Sequence, residues 1–292
     1  MKENDLNNKM SKDYIKSALR FYNIKDKVYE EKCIDAIGII KENEMLRNKV
    51  LEIHNILYTQ IEDKIAELWN LQDISDLFGT DSVPFVTNIL LLLGFENHKE
   101  NIKKYKFRKN QICIHKQRVK ECLTKDIYDR KYENIRISQM LWGTYFINCK
   151  LIEVGRLQYE YCENYIKIHI PAGNKLDFCE VVKSIKHSKK EIKKYYGKND
   201  MNYYCNSWLL SKQIKSMLKD NSNIIKFQTL FKIEEGESCL KDILNFVYKM
   251  NECLDYNLLS ENSSLQISIK QYLLLGNDVK LGKGKLILEK CF

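Results

Sequence analysis

Arg156, Gln158 and Glu160, followed closely by Lys167 and His169, form the densest group of side chains able to do chemistry in this sequence. Tyr165, Lys167 and His169 alternate with Ile166, Ile168 and Ile170, the period of a half-buried strand. Glu163-Asn164 supplies a two-residue turn. That turn pairs Glu160 with Lys167, Gln158 with His169 and Leu157 with Ile170. Arg156, Gln158, Glu160, Lys167 and His169 then share one face of a hairpin whose other face is apolar. A three-residue turn would instead bring Tyr159 to Lys167 and scramble the faces. On a shared polar face, His169 can relay a proton, oriented by Gln158 and made a stronger base by Glu160. Its structural alternative is a hydrogen-bonded histidine ahead of Pro171. Arg156 can grip a carboxylate or phosphate with two parallel bonds, or pair with Glu160 or another acid.

A second group is Tyr203-Tyr204-Cys205-Asn206-Ser207-Trp208. It spans the end of a short strand, 201–205, and the start of a helix running to about Leu218. Ser207 there either caps the helix or donates to a departing thiolate or an oxyanion. Tyr203 and Tyr204 are candidate acids. Cys205 is a nucleophile only beside a base and otherwise a small core residue. Trp208 suits an anchor between helix and sheet. His54, His98, His115 and His187 have no ligand-like spacing, and the ten cysteines form no CxxC pair, so no metal site is expected.

Helical periodicity marks 12–22, 29–42 and a long stretch, 45–71, with Leu46, Val50, Ile53, Leu57, Ile61, Ile65 and Leu68 on one stripe. Ser82 and Pro84 read as the start of a helix that Gly94 stops. A basic helix is expected over 110–129 and another helix over 133–149. From Leu151 the pattern changes to mixed strands and helices. A helix is expected over 177–196, a strand over 224–233, helices over 239–253 and 263–275, and a closing strand or hairpin over 278–288. Helices followed by mixed elements predict an α+β chain with a helical N-terminal domain, 1–133, and a mixed α/β C-terminal domain, 134–292.

The chain has 292 residues, a formal charge of +9, eleven glycines and two prolines, which argues against disordered linkers and solenoid repeats. A Lys-rich solvated surface accounts for the charge. No zinc finger, Gly-aromatic RNA motif or heptad basic region points to nucleic acid. The longest apolar run, Ile89–Leu93, is too short for a bilayer span. The polar start, Met1 to Lys12, carries no secretory signal, so free thiols and a cytoplasmic location are expected.

Several blocks resemble bacterial acyltransferase-domain proteins whose second half is a GNAT-like C-terminal domain. They are Gly155–Glu160, Ile168–Pro171, Cys205–Leu210, Ser222–Ile224, Phe227-Gln228, Ser264–Gln266, Tyr272-Leu273, Gly276 and Gly282-Lys283-Gly284. The resemblance spans roughly 134–288 and implies an acyl-CoA or acetyl-CoA donor and a small-molecule or sugar amine acceptor. It makes His169, Ser207 and Tyr204 catalytic candidates. Arg156, Gln158, Glu160, Asn206, Trp208, Asn223 and Gln228 become candidates for substrate contact. Such transferases hold pyrophosphate on the backbone of a Gly-rich turn before a helix and the pantetheine arm between splayed strands. Gly282-Lys283-Gly284 is the nearest match to that turn, with Val279 where Gln or Arg belongs; a bulge in the last strand is its other reading. The family often has His at the position of Asn206. A non-catalytic ligand-sensing or interaction module is the alternative function.

Overall fold

The computed structural model describes residues 8–59, 62–69, 71, 78, 85–129, 135–173, 175–250, 252–287 and 289. The chain divides into two compact units, 1–152 and 153–292. The expected boundary at 133/134 lies outside the described residues. The helix that follows it, α8 (Ile137–Ile147), belongs to the first unit because Met140, Leu141, Phe146 and Ile147 are buried in that unit's core.

Among the described residues, the elements of the first unit ahead of β1 are helices: α1 (Lys12–Phe21), α2 (Lys27–Glu42), α3 (Glu44–Thr59), α4 (Glu62–Trp69), α5 (Val86–Leu93), α6 (Phe95–Lys104), α7 (Lys109–Asp129) and α8. Every residue of α5 is buried, as befits a helix apolar on all sides. The stripe Leu46, Val50, Ile53, Leu57, Ile65 and Leu68 enters the same core, but on two helices rather than one. The expected start of α5 at Ser82 and Pro84 lies outside the described residues. Gly94 does separate α5 from α6, though not through a left-handed stop, since its φ is −76°. A Cβ there would lie 2.3 Å from Cζ of Tyr58, so close approach is what demands glycine.

The second unit is built on a six-stranded sheet in the order β1-β2-β3-β4-β6-β5. Its strands are β1 (Leu151–Val154), β2 (Leu157–Cys162), β3 (Tyr165–His169), β4 (Asn202–Ser207), β5 (Phe231–Ser238) and β6 (Lys280–Leu286). The β2–β3 hairpin has the register expected from a two-residue turn: Gln158 faces His169 and Glu160 faces Lys167. The expected run 154–160 is not one strand. It breaks at Gly155-Arg156, with Gly155 at φ +59°, so Arg156 belongs to the β1–β2 turn and not to the polar face of β2. The crossover helix α9 (Phe178–Tyr196) links β3 to a parallel β4. Asp177 caps it, and Val181, Ser184, Ile185 and Ser188 form its buried side.

Two further expectations change. Residues 223–228 form α11 (Asn223–Gln228), after the short α10 (Lys212–Ser216), and only Phe231 onward is strand. Ile225 and Phe227 fit either period over so short a run; the Ser222 cap, accepting from the Ile225 N–H, selects the helix. The region 239–253 is a short α12 (Leu240–Ile243) continuing as a π-turn, Leu244–Tyr248. The closing segment around Gly282 and Gly284, expected as strand or hairpin, is a strand. It is the middle of β6, paired on one side with β4 and on the other with β5. The helix α13 (Ser264–Leu274) has the expected Ser263 cap and packs Ile269 and Leu273 with Ile214, Ile243 and Val279.

Candidate active site

Pairing across the sheet decides which side chains share a surface. Glu160, Lys167, Tyr204 and Lys285 form one row across four strands. Gln158 and His169 lie one step further along the same face, and Asn206 projects from that face of β4. The opposite face carries Tyr159, Ile166, Ile168, Tyr203 and Cys205, all buried. There, the Tyr159 hydroxyl hydrogen-bonds Ser184 of α9 at 2.8 Å, and Ser188 donates to Tyr203 at 3.3 Å. Tyr203 and Cys205 thus belong to the sheet–helix core.

On the polar face, Glu160 Oε2 lies 2.6 Å from His169 Nε2, a short contact between two largely buried groups. Glu160 Oε1 also accepts from the Cys162 thiol at 3.7 Å. Gln158 does not orient His169; its side-chain amide donates to Glu153 Oε2 at 2.7 Å. The expected partner, His169, stands directly opposite in the ladder. The observed one is reached because Glu153 on β1 and Gln158 on β2 flank the Gly155-Arg156 turn.

The parallel ladder between β3 and β4 stops at Lys167 and Tyr204, two residues before β3 ends and three before β4 ends. β4 continues in full pairing with β6 through Ser207 and Gly282. The strands therefore part at the end occupied by His169, with Asn206 exposed on the facing strand. Backbone groups along a parted pair are available to an inserted chain in the manner of an added strand.

Beyond His169 the described chain continues through Ile170–Gly173 and resumes at Lys175 before α9. Gly173 has φ +118°, and nothing stands within 4 Å of where its Cβ would be. Arg156 reaches this turn without pairing to an acid: Nη1 donates to the Pro171 carbonyl at 2.9 Å and Nε to the Lys175 carbonyl at 3.2 Å. Partial burial lowers the guanidinium pKa, with the Glu153 charge acting the other way. Arg156 thus braces the strand-to-helix turn. Sequence reading looked for such a turn at Gly282; the signal at hand was Pro171-Ala172-Gly173 between a strand and the Asp177 cap.

The other candidates gather elsewhere, around a single-turn 3-10 helix, Trp208–Leu210. Ser207 points away from the His169 face and its Oγ accepts from the Leu209 N–H at 3.1 Å, so it is a cap. Buried Gln228 donates to the Leu209 and Leu210-flanking Ser211 carbonyls at 2.8 and 3.1 Å. A Cβ on Gly282 would lie 2.2 Å from the Leu210 carbonyl oxygen, and one on Gly284 2.7 Å from Leu210 Cδ1. Trp208 is half-buried against the cluster of Ile214 and Val279, and Asn223 is the half-buried first residue of α11. The blocks Cys205–Leu210, Phe227-Gln228 and Gly282–Gly284 therefore meet to seat one turn on the sheet. Gly282 and Gly284 lie in mid-strand and not in a loop, and their missing side chains make room for Leu210.

A helical unit followed by a mixed sheet, with a parallel pair that parts ahead of a crossover helix, is the GNAT-like α+β class. Residues 104–286 match the family described as the GNAT-like C-terminal domain, and the chain belongs to that family. The match begins inside the helical unit. Among solved structures, the fold is similar to an acyltransferase in complex with decanoyl-CoA (TM-score 0.71, 15% identity, covering 94% of this chain and 87% of that one). It is also similar to an acyltransferase mutant in complex with octanoyl-CoA (0.72, 16%, 94% and 88%). A third is an acyltransferase in complex with decanoyl-CoA and teicoplanin (0.71, 18%, 94% and 88%). A search of curated proteins gives no significant match. Among the described residues no helix is long and apolar enough to cross a membrane, and the nine cysteines are free thiols.

Proposed function

We propose that this protein transfers an acyl group from acyl-CoA to a small-molecule nucleophile, with a sugar amine the acceptor that fits best. The observation that carries this reading is the parting of β3 from β4 beside the Glu160–His169 pair. The pantetheine arm would lie in that opening, bonding to the freed strand backbone. Its pyrophosphate would rest on the backbone of Pro171–Gly173, which Arg156 braces through the Pro171 carbonyl. In the reaction, the acceptor nitrogen attacks the thioester carbonyl carbon and the carbon–sulfur bond breaks. His169, held by Glu160, takes the proton from the attacking nitrogen. Tyr204, on the same face, returns a proton to the CoA sulfur. Complexes of the similar acyltransferases with acyl-CoA support the donor class. The complex with teicoplanin supports an acceptor larger than a simple amine.

Thermal unfolding with free CoA, acetyl-CoA, octanoyl-CoA and decanoyl-CoA tests this. A ligand at about 100 times Kd adds about 2.7 kcal/mol to folded-state stability. Octanoyl- or decanoyl-CoA should raise the melting temperature. Arg156→Ala should weaken every CoA species alike and lower ligand-free stability by about 1–3 kcal/mol, since two hydrogen bonds from the guanidinium are lost. No shift with any CoA species would refute the transferase reading and leave a fold that has kept its shape without its donor.

A further inference from the structure

Three side chains that are distant in sequence converge inside the helical unit. They are His98 on α6, His115 on α7 and Cys149, just past the end of α8. All three are fully buried, and their donor atoms lie within 4.8 Å of one another. We propose that His98, His115 and Cys149 form a structural site for one thiophilic d10 metal ion, Zn2+ or Cu+, that ties the ends of three helices together.

Two independent observations point to a ligand. The first is His98 Nε2, buried and without a hydrogen-bond partner, while Nδ1 of the same ring faces the Tyr22 hydroxyl at 3.1 Å. A buried polar atom left unpaired costs about 1–3 kcal/mol. In the tautomer in which Tyr22 accepts from Nδ1–H, the Nε2 lone pair is bare, the arrangement usual behind a metal-bound imidazole. The second is the backbone at Cys149, where φ is +54°. This position follows the Asn148 C-cap of α8, where glycine is the unstrained choice. A side chain kept in a left-handed conformation costs about 1 kcal/mol or more. What that strain secures is a thiol aimed at two imidazoles.

The geometry is close to a coordination sphere. Cys149 Sγ lies 3.8 Å from His115 Nδ1. Metal–sulfur and metal–nitrogen bonds of about 2.3 and 2.0 Å place such atoms roughly 3.6 Å apart. The Phe146 carbonyl oxygen, 3.1 Å from the same Nδ1, is positioned as a weak fourth donor. On binding, the Cys149 S–H bond breaks and its proton leaves to solvent. His115 would bind through Nδ1 in the tautomer that carries its proton on Nε2. One thiolate balances Cu+ fully; Zn2+ would retain one positive charge and draw a hydroxide as a further ligand.

The test uses the full chain, stripped with a chelator and titrated with Co2+, Zn2+ and chelator-buffered Cu+. Co2+ at one equivalent should give thiolate charge-transfer and tetrahedral ligand-field bands. Zn2+ or Cu+ should then raise the melting temperature with one-to-one stoichiometry, the tighter of the two naming the occupant. Cys149→Gly is the decisive variant, because it relieves the backbone strain. It should fold at least as well as wild type, lose the charge-transfer band and bind about a hundredfold more weakly or worse. The proposal is overturned if wild type shows no Co2+ charge-transfer band and no stoichiometric Zn2+ or Cu+ binding. It is equally overturned if Cys149→Gly binds as wild type does.

Discussion

Replacing Gly282 by alanine separates a packing glycine from a cofactor-binding one. The added Cβ would sit 2.2 Å from the Leu210 carbonyl oxygen, 2.4 Å from its carbon and 2.5 Å from Leu210 Cβ. Ordinary contacts begin near 3.4 Å, so the 3-10 turn or β6 must retreat by more than 1 Å. Neither moves freely. β6 is paired on both sides, and the turn is pinned by Ser207 at one end and by Gln228 through two carbonyls. Overpacking of this kind costs typically 1–3 kcal/mol, and backbone obstruction puts Gly282→Ala at the upper end, about 3 kcal/mol. At 2–4 °C per kcal/mol, the melting temperature should fall by about 6–12 °C. Gly38→Ala is the control: it lies in α2 with nothing near its Cβ, and should stabilise by about 0.5–1 kcal/mol. Circular-dichroism melts with and without octanoyl-CoA read both effects. A Gly282→Ala protein that melts like wild type yet no longer responds to octanoyl-CoA would refute the packing argument and restore Gly282 to the cofactor.

His169→Ala should lower acyl-transfer turnover by about 10²–10⁴-fold, and Glu160→Gln by a smaller factor, with the octanoyl-CoA thermal shift kept in both. Wild-type turnover in His169→Ala, measured as released CoA thiol, would remove this histidine from the chemistry. His54 gives a pH signature unrelated to the site. Burial, aided by the Lys9 charge, pushes its pKa down to about 3. The unfolded chain takes up a proton near pH 6.5 and the folded chain does not. Its contribution is thus complete above that pH and is lost at about 1.4 kcal/mol per unit as pH falls toward 3. In urea titrations between pH 7 and 4, His54→Phe should show a shallower fall by that slope. Identical slopes would show that His54 is protonated in the folded state.

The hairpin was legible because its information is local. Strict alternation from Tyr165 to Ile170, with a turn that fits only two residues, leaves one register that keeps the isoleucines together. The Ser263 cap and the stripe of α3 were legible for the same reason: a cap or a helical period is complete within a few residues. Local pattern failed where two periods coincide, as in Ile225 and Phe227, which alternate as a strand would yet lie on a helix. It also failed at Arg156, whose place in a turn depended on β1, four residues that periodicity could not distinguish from the end of α8.

By itself, then, the sequence determined the helical first unit, the polar face bearing Glu160 and His169, and the resemblance that the family match confirms. Only tertiary structure decided which of the chemical-looking residues meet. Ser207, Gln228, Gly282 and Gly284 converge on Leu210, while His98, His115 and Cys149 converge from three helices. The physical reason is that sheet order and helix packing bring together residues tens of positions apart. No period or spacing along the chain encodes whether a glycine faces a phosphate or a leucine, or whether a buried imidazole faces a thiol.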